Sequence, residues 1–85
     1  MKPERSIKEL LIVLRDNLKD YFDLYCNGMC LVIKELYWHD LISEEEESIL
    51  TNYLEDNKPI DQMYWFVPGE IEPRLEWLNQ QIEKL

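Results

Sequence analysis

Apolar residues recur at spacings of three and four along most of the chain, interrupted by short polar breaks, and this period predicts amphipathic helices. In the first, Ile7, Leu10, Leu11, Leu14, Leu18, Tyr21, Phe22 and Tyr25 fall on one stripe at the ~100° per residue of a helix. Ser6 and Glu9 have the spacing of a capping box at its start, and Asn27-Gly28 is the expected stop. The second helix is predicted over residues 29–40, in MCLVIKELYWHD. One of its faces carries Met29, Val32, Ile33, Leu36 and Tyr37, while Leu31 and Trp38 project nearly opposite. A helix apolar on two sides is either central in a bundle or half of an interface.

The third helix opens on a further capping box, Ser43 with Glu46, and its EEEE run sits where the positive end of the helix dipole favours carboxylates. Ile49, Leu50, Tyr53 and Leu54 are its expected inner face, and Asn57-Lys58-Pro59 its stop. Residues 57–72 form the longest connection, an aromatic-rich loop with YWF at 64–66 and a Pro68-Gly69 turn. The last helix has Pro73 in its first turn, where the missing N–H is not needed. Leu75, Leu78, Ile82 and Leu85 are its expected core stripe, with Arg74, Trp77 and Gln81 together on one flank. The pattern therefore predicts an all-α fold: one domain over residues 1–85, a compact bundle of about four helices with one long aromatic-rich loop before the last.

Composition supports this reading. The chain has 85 residues, of which 46% are hydrophobic, so burial of one core is feasible, and only two are glycine, which disfavours a hairpin-rich sheet. The charged start, MKPERSIKEL, leads into only a short apolar run, Leu10 to Leu14, too brief for a signal peptide or a membrane span. The expectation is a cytosolic protein without a membrane partner.

Charge narrows the function classes. Net charge is -9, and residues 43–57 hold six acidic groups and no basic one. Nucleic-acid binding needs cations that displace condensed counterions, so this balance argues against a DNA or RNA partner. The exposed positions of the third helix, among them Glu44, Glu45 and Glu55, are either a solvated face or a face for a basic protein. Lys8, Arg15 and Lys19, with Arg5 adjacent, cluster beside the apolar stripe of the first helix; they are expected to answer the acidic third helix, within the bundle or in a dimer, or to dock an acidic patch elsewhere.

Catalytic patterns are not evident, and no cofactor is called for. His39 is the one histidine, and without further ligands the His39-Asp40 pair completes no metal shell, so it reads as the boundary closing the second helix. Cys26 and Cys30 read as free thiols rather than a zinc site or a disulfide. Two surfaces remain. Arg74, Trp77 and Gln81, with Tyr64, Trp65 and Phe66 from the loop, have the chemistry for a planar anion such as a nucleotide, and equally the make-up of a core edge. Leu31 and Trp38, with Glu44, Glu45 and Glu55, are the candidate protein interface, for a different protein or for a second copy of the chain.

Over residues 28–85, the motifs GMC at 28–30, the glutamate-led third helix, YWF at 64–66 and PRLEWL at 73–78 resemble small proteins carried by bacteriophages and prophages. The resemblance implies a phage-type context and no catalytic residue. Small phage proteins commonly act by stoichiometric binding, which implies a non-enzymatic protein that binds a host or phage factor as inhibitor or modulator, including in defence evasion. The alternatives are a small-ligand binder or sponge for a nucleotide-type signal through the Arg74 and Trp77 flank, and, least supported by the residues, an enzyme.

Overall fold

The capping box at the start of the first helix forms: Glu9 N–H donates to Ser6 Oγ at 3.2 Å and Ser6 N–H to Glu9 Oε1 at 3.1 Å. It satisfies two orphan donors and sets the first turn of α1, Ile7–Tyr21. The computed structural model describes residues 5–22, 28–57 and 70–85, and these hold four helices and no strand: α1, α2 (Met29–Trp38), α3 (Glu44–Asn57) and α4 (Ile71–Lys84). The expected aromatic-rich loop, with Tyr64, Trp65 and Phe66, lies outside the described residues, as do Tyr25 and Cys26.

α1 is the central element and packs against each of the other three helices. Leu10, Leu11, Leu14 and Leu18 are fully buried there, and each such side chain stabilises the fold by roughly 1.5–3 kcal/mol over an exposed one. α2 contributes Met29, Val32, Ile33 and Leu36 to the same core, α3 contributes Leu50 and Leu54, and α4 contributes Trp77, Leu78 and Ile82.

Several sequence expectations are corrected. α1 ends at Tyr21, well before Asn27-Gly28. Phe22 turns extended, with φ -87° and ψ 128°, while its N–H still donates to Leu18 O, and its ring joins the edge of the core. Gly28 is the N-cap of α2 rather than the stop of α1; its φ is negative and its carbonyl accepts from Val32 N–H at 3.1 Å. α2 ends at Trp38 with His39 as C-cap, as the boundary reading of that histidine expects. Asp40 follows in the left-handed region, with φ 61°, so that Asp40 N–H reaches Tyr37 O and Leu41 N–H reaches Leu36 O, the two bonds of a Schellman turn.

On α3, Leu50 and Leu54 are buried and Tyr53 partly buried, as expected, but Ile49 of the expected inner face is exposed and Glu46 is buried. On α4, Leu85 is half-exposed and Leu75 only partly buried, whereas Arg74, Trp77 and Gln81 lie on the buried face instead of on its flank. The reason is that Phe22, just after α1, and Tyr53 of α3 meet that side of α4 with a ring and a hydroxyl.

Candidate functional site

Glu46 is the polar centre of the bundle. Its N–H donates to Ser43 Oγ and its Oε1 accepts from Ser43 N–H at 2.9 Å, closing the capping box that starts α3. The same carboxylate receives Arg5 from before α1, Nε to Oε2 at 2.8 Å and Nη2 to Oε1 at 2.9 Å, and Arg5 Nη2 also donates to Leu41 O at 2.7 Å. One guanidinium thus ties the segment before α1 to the α2–α3 turn and to the start of α3. The Arg5 hydrogen bond, outweighing the cost of burial, holds the Glu46 carboxyl down to about 2, and the same bond raises the pKa of Arg5. The sequence signal for half of this arrangement was the capping box; the Arg5 contact had none beyond its charge.

The cations of α1 itself, expected to answer α3, do not reach it. Arg15 bonds Asp16 and, across the helix packing, Asn79 of α4 at 3.1 Å, while Lys8 and Lys19 are exposed.

Arg74, Trp77 and Gln81 are brought together, but within the fold. Arg74 Nη1 donates to Glu70 O at 2.6 Å, and its guanidinium carbon lies 5.3 Å from the centroid of the Phe22 ring. Trp77 meets Tyr53 of α3 at 6.5 Å between ring centroids, and Tyr53 Oη donates to Gln81 Oε1 at 2.9 Å. Burial lowers the pKa of Arg74, the direction expected for a cation moved out of water. These contacts are those of a core edge where Phe22, α3 and α4 meet. Tyr64, Trp65 and Phe66, the other members of that group, lie outside the described residues.

No family model, curated protein or solved structure matches the chain.

The other candidate surface is open. Leu31 is 40% exposed and Trp38 60% exposed, on the side of α2 turned away from the core. Next to them Lys34 Nζ reaches across to Glu47 Oε1 of α3 at 3.4 Å, and this pair marks the outer seam between α2 and α3. Beyond the seam Glu44, Glu45 and Glu55 are all exposed. At the end of α2, His39 Nε2 lies 3.2 Å from Glu35 Oε2, and its ring stacks obliquely on Tyr21 with centroids 5.0 Å apart. Among the described residues no group of three or more His, Cys, Asp or Glu is placed to hold a metal ion, and no helix is long and apolar enough to cross a membrane. Cys30 is a half-buried free thiol.

Proposed function

We propose that this chain is a non-enzymatic binding protein that acts by docking another protein, a host or phage factor in the phage-type context the sequence resemblance implies, onto the outer face of α2. The observation that carries the reading is Trp38. A tryptophan left 60% exposed at the end of α2, one heptad from an exposed Leu31, has given up burial that an 85-residue chain needs. Interfaces concentrate their energy in such aromatic anchors. The exposed acidic positions Glu44 and Glu55 lie on the side of α3 next to that face, with Glu45 exposed further round, and they favour a partner of opposite charge, speeding encounter more than adding affinity.

The test is native mass spectrometry of the protein isolated from its bacterial host, in wild-type form and as Trp38→Ala and Leu31→Ala. The expected result is a stoichiometric complex with one other protein, reduced at least about tenfold by Trp38→Ala while the melting temperature is unchanged. A complex that survives both substitutions, or only bare monomer from every preparation, would overturn the reading.

A further inference from the structure

Resting on that reading, we infer that the partner presents a cationic amphipathic helix, which lies along the α2–α3 seam with its apolar residues on Leu31 and Trp38 and its lysines or arginines over Glu44 and Glu55.

Two independent features of the surface define this occupant. The apolar one is linear. Leu31 and Trp38 are seven residues apart on one helix, about 10 Å along its axis, which matches anchors repeated every two turns on a facing helix. The electrostatic one is one-sided. α3 carries six acidic residues and no basic one, so the ridge beyond the seam has no cation of its own. The Lys34–Glu47 pair aligns the two features. α2 and α3 are joined by a short turn, residues 39–43, and across it Lys34, between Leu31 and Trp38 on α2, meets Glu47 in the first turn of α3. On the helix wheel Glu44, Ser48, Thr51 and Glu55 follow one another up the side of α3 next to Glu47, the residue that Lys34 reaches from α2.

Lys34 also shows what this surface does with a cation. Its ammonium crosses the seam to a carboxylate of α3, in the direction the partner's cations would take from an apolar strip to the acidic ridge. A second copy of the chain is the less suitable occupant. It would bring a surface of net charge -9, and of its exposed lysines among the described residues Lys8 and Lys19 lie on α1 without an adjoining exposed apolar strip, while Lys84 at the end of α4 adjoins the single exposed Leu85.

The experiment uses the full chain and a labelled helix-forming leucine–lysine peptide, followed by fluorescence anisotropy at low and at high salt. A scrambled peptide of the same composition, with no apolar face, is the control. The amphipathic peptide should bind at least about tenfold more tightly than the scrambled one, Trp38→Ala should abolish that preference, and Glu44→Gln with Glu55→Gln should flatten the salt dependence. Equal binding of the two peptides, or indifference to Trp38→Ala, would overturn the inference. So would a concentration-dependent dimer that Trp38→Ala disperses and the amphipathic peptide does not, since a second copy would then cover the strip. A native partner lost with Trp38→Ala, but cross-linked from position 38 to a segment without lysine or arginine, would leave the binding reading standing and remove this inference alone.

Discussion

Arg5 and Glu46, 41 residues apart in the chain, meet side-on through two hydrogen bonds of 2.8 and 2.9 Å. The carboxylate they involve also closes the capping box of α3, so a single buried acid joins tertiary and local structure. Its pKa is depressed from 4.5 to about 2, which means the unfolded chain takes up this proton first as the pH falls. The stabilisation is present in full above the unfolded value and is lost as the pH drops from about 4.5 towards about 2. Glu46→Gln keeps an acceptor for Ser43 N–H but removes the charge. It should lower stability near neutral pH by about 1–3 kcal/mol and remove this acid-range slope, as followed by chemical denaturation at a series of pH values.

Pairing that substitution with Arg5→Met separates the ion pair from the cap. Each single variant leaves one charged group without its partner, so the double variant should be less destabilised than the sum of the two. A coupling close to zero in the double-mutant cycle would show that the contact contributes nothing.

Asp40 supplies the left-handed residue of the turn after α2, with φ 61°. Glycine reaches that region without a Cβ clash, and the side chain of Asp40 is exposed. Asp40→Gly should therefore raise the melting temperature, by stabilisation of up to about 1 kcal/mol, whereas Asp40→Val should lower it by more. Calorimetry of the two variants checks the sign.

Tyr53→Phe deletes the donor that Gln81 Oε1 accepts, leaving a buried amide oxygen without that bond, at a cost of about 1–2 kcal/mol. Adding Gln81→Leu removes the polar group as well, and should recover part of the loss. Thermal unfolding of the single and double variants decides between this and a bond too weak to register.

Arg74→Lys tests whether the Arg74, Trp77 and Gln81 group acts as a core edge. The change loses the planar fork that reaches Glu70 O while lying against Phe22. With Trp77→Phe, which trims the contact with Tyr53, it should lower the melting temperature, each by about 1 kcal/mol or more of stability. Unchanged melting in both, with loss of a co-purified ultraviolet-absorbing ligand, would contradict the core-edge reading.

What the sequence determined by itself was local. The period of apolar residues in 7–21 and 29–38 sets the helices and their inner faces, because an amphipathic helix has one stripe to bury. The capping boxes at Ser6 and Ser43 set where α1 and α3 begin, since donor and acceptor lie within four residues of each other. The outward position of Leu31 and Trp38 followed from the same wheel. On α4 the expected stripe buries Leu78 and Ile82, and only the tertiary structure decided that the inward side is turned further, towards Arg74, Trp77 and Gln81. Leu75 and Leu85 are the more apolar choice, yet Arg74 and Gln81 are buried, because Phe22 and Tyr53 provide a ring and a hydroxyl that meet their polar ends. The burial of Glu46 was decided in the same way: a carboxylate enters the interior only where a guanidinium meets it, and Arg5 comes from the far end of the sequence, beyond the reach of any local pattern.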